Sequence, residues 1–215
     1  MHLTEIFSSL QGEGRFTGTP SLFIRTGRCP YRCRWCDTPA SRTEQGSDFS
    51  VPQIMPFVER QAPLTHVVIT GGEPLMEKHL AALTSRLLGM GKFVTIETSG
   101  FLFRPIPCNL VSISPKLASA GLSAAPPVPS VRRWLKHADY QIKFVVEQEK
   151  DMQEIYQFLQ AVECHDRGKI YLMPQARTRQ EMLFRGPLVA DLCVRYGYQY
   201  SPRLHIDLYG GRRGT

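Results

Sequence analysis

Cys29, Cys33 and Cys36 stand as Cys-x3-Cys-x2-Cys within the run Thr26-Gly27-Arg28-Cys29-Pro30-Tyr31-Arg32-Cys33-Arg34-Trp35-Cys36-Asp37-Thr38. Three thiolates so close in sequence can wrap one corner of a four-iron cube and hold three of its irons, and Gly27 and Pro30 favour the loop that such a wrap needs. The fourth iron is left open for chemistry. Two other readings compete for the same residues. A structural zinc site takes four closed ligands, and no further Cys or His lies near enough in sequence to complete a second matching pair. A disulfide framework fits poorly with 6 cysteines in 215 residues and no secretory leader ahead of them. Cys108, Cys164 and Cys193 are scattered singly and read as inert thiols.

Other reactive groups fall at the ends of short apolar runs. Arg25 closes the run from Pro20 on the same face as Phe23, with Leu22 and Ile24 on the other. If the Leu22 face packs on helices, Arg25 projects into an opening where its planar guanidinium can pair with a carboxylate. Thr70-Gly71-Gly72-Glu73-Pro74 follows Val67-Val68-Ile69, and paired glycines let a ligand approach the backbone closely. Glu97-Thr98-Ser99-Gly100, Ser114-Pro115-Lys116 and Met173-Pro174-Gln175 end three more runs. Polar groups there suit a cleft for a ribose or a carboxylate, although Glu97 serves equally as a buried structural hydrogen-bonding group and Met173 as packing. Gln11-Gly12-Glu13-Gly14 reads as a turn, and His205 as a core histidine.

The elements that must present these ends alternate. Apolar runs at residues 21–25, 66–70, 93–97, 110–114, 140–146, 169–173 and 203–208 read as buried parallel strands, and stretches at 51–61, 77–88, 150–162 and 179–196 read as helices. The expected fold is therefore α/β, a partial, open barrel of parallel strands with right-handed crossovers, in one domain over residues 1–215. Residues 117–129, rich in Ala, Ser and Pro, read as a long surface loop. Ligands in such sheets sit at the carboxyl ends of the strands.

At 42% hydrophobic the chain can bury a sizeable core. No apolar run approaches the roughly 18 residues of a membrane span, and the expected compartment is a reducing cytoplasm. A formal charge of +7 admits nucleic acid as a partner, yet Lys and Arg are dispersed apart from Arg132-Arg133 and Arg212-Arg213, and an anionic small substrate explains the charge equally well.

The cysteine spacing resembles that of the radical S-adenosylmethionine (SAM) enzymes. Together with Ser9-Leu10-Gln11-Gly12-Glu13-Gly14, Gly18-Thr19-Pro20, Trp35-Cys36-Asp37-Thr38, Thr70-Gly71-Gly72-Glu73-Pro74, Glu97-Thr98-Ser99-Gly100 and Ser114-Pro115-Lys116, it resembles the 7-carboxy-7-deazaguanine synthases of the queuosine and deazapurine pathway over nearly the whole chain. That resemblance implies a radical SAM lyase acting on 6-carboxy-5,6,7,8-tetrahydropterin with loss of ammonia. By that resemblance, the 5′-deoxyadenosyl radical takes a hydrogen from the pterin and later returns it to the rearranged ring, so that SAM is regenerated and serves as a cofactor. It implies a [4Fe-4S] cluster on Cys29, Cys33 and Cys36. A SAM site is implied at Trp35, Cys36, Asp37, Gly72, Ser114, Pro115, Lys116 and the segment Met173, Pro174, Gln175, Ala176. The pterin would be held by Leu10, Gln11, Gly12, Arg25 and Thr70, joined by Glu13 and His205, and Mg²⁺ by the Thr38 hydroxyl, a hard oxygen donor. A flavodoxin- or ferredoxin-type electron donor and a homodimer are also implied, with neither nucleic acid nor membrane as partner. The chain departs from some members in its compact x3 spacing and in continuing through Gly210-Gly211-Arg212-Arg213-Gly214-Thr215. The competing functions are a glycyl-radical-enzyme activase, which shares the cysteine loop but acts on a protein backbone, and a metal-binding nucleic-acid module, which leaves the strand-end motifs without a role.

Overall fold

The computed structural model describes residues 1–39, 46–122, 128–210, 212 and 214. Its nine strands are β1 (His2–Leu10), β2 (Pro20–Thr26), β3 (Ser47–Asp48), β4 (His66–Gly71), β5 (Phe93–Thr98), β6 (Leu110–Ile113), β7 (Asp139–Val146), β8 (Ile170–Pro174) and β9 (Gln199–Tyr200). They form one sheet in the order β3-β1-β2-β4-β5-β6-β7-β8-β9. From β2 to β9 every pairing is parallel, whereas β1 runs antiparallel to both β2 and β3. Among the described residues the two ends of the order do not pair, so the barrel is open, as expected.

Strand periodicity sorts the side chains onto two faces. Leu22, Ile24, Val67, Ile69, Val94, Ile96, Val111, Ile113, Ile142, Phe144 and Leu172 form the outer row of the core. Against them pack α1 (Val51–Arg60), α2 (Leu80–Gly89), α3 (Val128–His137), α4 (Asp151–Ala161) and α5 (Arg179–Tyr196), through residues such as Ile54, Leu83, Trp134, Ile155 and Leu192. The opposite parity carries polar groups that satisfy one another deep inside. His66 lies between the hydroxyls of Ser21 and Thr95, each at 2.8 Å, and the Gln141 amide donates to Ser112 at 2.9 Å. Burial pulls the His66 imidazole down to about 4, so at neutral pH it is an uncharged floor plug.

Local signals set the helix ends. A capping box of Thr178 with Glu181 starts α5, and Gly197 in the left-handed region (φ 70°) stops it. Ser50 and Gln53 do the same at the start of α1.

Three expectations need correction. Residues 203–208 are not a strand: α6 spans Leu204–Tyr209 and ends at Gly210 with φ 64°. The alternation of Leu204, Ile206 and Leu208 mimics a strand, but Pro202 cannot donate to a ladder and β9 already holds the sheet edge at Gln199–Tyr200. The loop expected over 117–129 is shorter, because α3 begins at Val128 and buries Val131 and Trp134. Pro129 sits in the first turn of that helix, where no backbone donor is needed; residues 123–127 lie outside the described ones. Finally, β1 precedes residues 21–25, the first strand that the sequence predicts. Its residues are mostly half-buried and give no apolar run.

Candidate functional site

The inner parity row continues past the core to the carboxyl ends of the strands, where a cavity of about 590 Å³ opens. One wall is the loop after β2. Cys29, Cys33 and Cys36 line the cavity and are half-buried. The loop is held by backbone bonds from Glu73 to Arg28 (2.9 Å), from Cys36 to Cys33 (3.3 Å) and from Arg34 to Ala120 (2.9 Å). The Arg32 guanidinium donates to the Cys29 carbonyl at 2.9 Å, and Arg34 pairs with Glu147 at 2.7 Å.

The glycine pair explains how that loop can lie so close to the sheet. A Cβ on Gly72 would stand 2.1 Å from the Arg28 carbonyl oxygen, and one on Gly71, at φ 133°, 2.2 Å from that of Thr26. The following Glu73 is a strut. It accepts from the Thr98 hydroxyl (2.7 Å), from Ser99 N–H (2.9 Å) and hydroxyl (2.5 Å), and from Leu75 N–H (3.2 Å). The ends of β4 and β5 are thereby fastened behind the cysteines.

The donor set fits an iron cluster. Three thiols share the cavity wall, and no fourth thiol lines it among the described residues. Burial pushes the Cys29 thiol above its usual range, so ligation to a metal is what would make it a thiolate. The remaining thiols do not share the site. Cys164 and Cys193 belong to the core and Cys108 packs on it; burial raises Cys108 to about 12 and Cys193 to about 11.

The facing wall is a chain of buried ionic contacts. Lys143, 2% exposed on β7, donates to Glu13 at 2.8 Å and to Glu97 at 3.1 Å. Glu97 also accepts from the Thr70 hydroxyl (2.9 Å) and the Gln11 amide (3.3 Å). Arg203, 3% exposed, pairs with Glu13 at 3.2 Å and with Asp37, and donates to the carbonyl of Ala176. Burial acts to raise the Glu13 carboxyl, but the Lys143 and Arg203 cations reverse this and hold it well below the usual range. The same carboxylates outweigh burial at Lys143 and keep its ammonium charged. Glu13, Asp37 and His205 have ligand atoms within 4.8 Å of one another, yet the Arg203 guanidinium already supplies the cation for both carboxylates. His205 rides on α6 against Gly12, where a Cβ would meet its Nδ1 at 2.2 Å, and burial lowers its imidazole.

At the rim, Arg25 pairs with Glu5 (2.9 Å) and donates to the Thr38 hydroxyl (3.3 Å), which donates to Asp37 (3.1 Å). Thr38 thus offers a hard hydroxyl oxygen at the rim, the class of donor that Mg²⁺ takes. Leu22 and Ile24 are buried in the core while Phe23 and Arg25 line the cavity, as the face argument required.

Of the residues marked in the sequence, the cavity is lined by Leu10, Gln11, Gly12, Glu13, Arg25, Cys29, Cys33, Trp35, Cys36, Asp37, Thr38, Thr70, Gly72, Ser114, Pro115, Lys116, Met173 and His205. Pro174, Gln175 and Ala176 are not among the lining residues; they are buried behind it. Lys143, Arg203 and Glu5 were missed. Lys143 left a signal, a lone charge between Ile142 and Phe144 in a buried strand, which demands partners.

A model of the radical SAM superfamily matches residues 23–159. The chain is 36% identical over 230 residues to the 7-carboxy-7-deazaguanine synthase of Halobacterium salinarum, covering 96% of this chain and 90% of the relative. It is 35% identical to that of Rhodopirellula baltica, covering 99% and 88%. The crystal structure of QueE from Escherichia coli superposes with a TM-score of 0.76 at 29% identity, covering 95% and 94%. With its cysteine loop and strand-end motifs gathered on one cavity, this chain belongs to the radical SAM superfamily and, within it, to the 7-carboxy-7-deazaguanine synthase family.

Proposed function

We propose that the chain is a radical SAM lyase that converts 6-carboxy-5,6,7,8-tetrahydropterin into 7-carboxy-7-deazaguanine with loss of ammonia, in deazapurine biosynthesis. One observation carries this: the three-thiol loop and the polar groups from Gln11 to Glu13 and at Arg25 open on the same cavity, whose volume lies within the range of small-ligand sites.

A [4Fe-4S] cluster with bound SAM, together with Mg²⁺, would supply a 5′-deoxyadenosyl radical and a Lewis acid for the ring contraction. The protein's part is to hold and orient. Cys29, Cys33 and Cys36 hold the cluster. Trp35, Asp37, Gly72, Ser114, Pro115, Lys116 and Met173 form the SAM side of the cavity, and Lys116 is steadied by its bond to the Ser114 hydroxyl at 3.0 Å. Pro174, Gln175 and Ala176 act from behind, through the backbone.

Leu10, Gln11, Gly12, Thr70 and His205 face the pterin, and Glu13 is a fixed acceptor because two cations keep it ionised. Arg25 presents its terminal nitrogens to the pterin carboxylate while Glu5 holds its Nε. The Thr38 hydroxyl, beside Arg25 and the substrate carboxylate it would bind, would hold Mg²⁺. A cavity walled by buried charges suits a small heterocycle better than a protein backbone or a duplex, which disfavours an activase or a nucleic-acid module.

The same reading includes one domain over residues 1–215, a flavodoxin- or ferredoxin-type electron donor, a cytoplasmic location and a homodimer. No described helix is long and apolar enough to cross a membrane. The outer stripe of α5 leaves Leu183, Phe184 and Val194 at 73%, 81% and 85% exposed, the kind of surface that association covers.

The test is anaerobic. The reconstituted protein is given SAM, dithionite, Mg²⁺ and 6-carboxytetrahydropterin, and 7-carboxy-7-deazaguanine is sought by mass spectrometry. Many products per SAM are expected. Accumulation of 5′-deoxyadenosine without product would show that the substrate is wrong.

A further inference from the structure

Arg203 touches no strand-end motif in sequence, yet its guanidinium reaches three separate walls of the site. Nε donates to Glu13 at 3.2 Å on the loop after β1. Nη2 donates to Asp37, which stands between the cluster cysteine Cys36 and Thr38. Nη1 donates to the carbonyl of Ala176 beyond β8. The Arg203 side chain is 4% exposed and that of Glu13 15%, whereas that of Asp37 is 44% exposed, so the guanidinium is anchored in the interior and reaches out to the cluster loop. Its planar fork thus links three segments of the chain at one point.

We infer that Arg203 is a positioning residue that sets the distance between the substrate loop, through Glu13, and the SAM wall of the cluster loop, through Asp37. The inference rests on the proposed radical SAM reading and extends it to a residue outside the family motifs. Glu13 and Asp37 are both anions, and without a shared cation they would repel and drift apart. The neighbouring Lys143 cannot replace Arg203, because it already bridges Glu13 and Glu97 on the opposite side. Hydrogen-atom transfer demands the reacting carbons in near contact, and a misplacement of about 1 Å costs on the order of 100-fold. The expected defect is therefore in coupling rather than in cluster binding.

The decisive variant is Arg203→Lys, whose single ammonium keeps the charge but cannot reach both carboxylates and the carbonyl. Reconstituted wild type and R203K are compared for iron content, unfolding temperature, SAM affinity by calorimetry without pterin, and product formed per 5′-deoxyadenosine. The inference expects full iron, an unfolding temperature lowered by a few degrees with the chain still folded under the assay conditions, SAM binding several-fold weaker, and product per 5′-deoxyadenosine reduced by about 10-fold or more. Wild-type SAM affinity together with wild-type coupling would overturn it. So would loss of iron or of the fold in R203K, which would make Arg203 a structural residue only. If the wild type itself yields no product from the pterin, the proposed substrate fails, while SAM affinity in the two proteins still decides the role of Arg203.

Discussion

Replacing Lys143 by Met tests whether the buried ionic floor holds the site together. The ammonium is 2% exposed and serves Glu13 and Glu97 at once. Removing one partner of a buried pair costs about 3–5 kcal/mol, because the other charge is left uncompensated. Here the lower end applies. Glu13 keeps Arg203, and Glu97 keeps the hydrogen bonds from Gln11 and Thr70, so the loss should be about 3 kcal/mol. For a chain of this size that lowers the unfolding temperature by about 6–12 °C. The assay is urea unfolding of the cluster-free chain under reductant, where iron release does not disturb a two-state fit. Adding Glu97→Gln to K143M removes the stranded charge and should recover about 1–2 kcal/mol. The pH dependence has a definite sign. Glu13 is depressed in the fold, so its contribution is complete above the unfolded value and is lost as pH falls through the folded one. Lys143 is raised, so its contribution is complete below the unfolded value and is lost as pH rises through the folded one. The gap between wild type and K143M should therefore be level from about pH 5.5 to about pH 9.5 and narrow outside that window. A K143M loss below about 0.5 kcal/mol, or no recovery in the double variant, would refute the reasoning.

Three further outcomes follow from the same geometry. Thr38→Ala should keep the cluster and SAM cleavage but lose most turnover, and unchanged turnover at low Mg²⁺ would remove Thr38 as the Mg²⁺ ligand. Gly12→Ala places a Cβ 2.2 Å from His205 Nδ1 and 3.2 Å from the His205 backbone nitrogen, so pterin affinity should fall by about 10-fold or more as α6 is pushed away; calorimetry with the pterin measures it. Cys33→Ala should abolish the iron–sulfur absorption, whereas Cys108→Ala should retain it in full, since that thiol packs on the core and burial holds it protonated.

The parallel strands were legible because their outward rows are apolar and buried, as at Val67, Ile69, Val94 and Ile96: residues 66–70 and 93–97 lie within one residue of β4 and β5. The cysteine loop and the glycine pair were legible because spacing alone constrains them. What escaped were groups whose meaning depends on distant partners. β1 carries no apolar run, since one side of it faces the cavity with Glu5 and Phe7. Arg203 looks like any surface arginine until Glu13, 190 positions earlier, is beside it. His205 was misplaced with its strand, because six residues with alternating apolar positions fit a period of two as well as one and a half helical turns.

The contact around α6 and the first loop joins segments 187 or more residues apart in sequence. Leu204 N–H bonds to the Gly12 carbonyl at 3.0 Å, and Gly14 N–H bonds to the Ser201 hydroxyl at 2.8 Å. During synthesis the cysteine loop emerges more than 160 residues before Arg203, so the thiols are available to iron long before the opposite wall exists. The pairing of residues so far apart in sequence is also the slow, entropically costly part of folding. The wall that carries Gly12 and His205 is therefore complete only where these two distant segments meet.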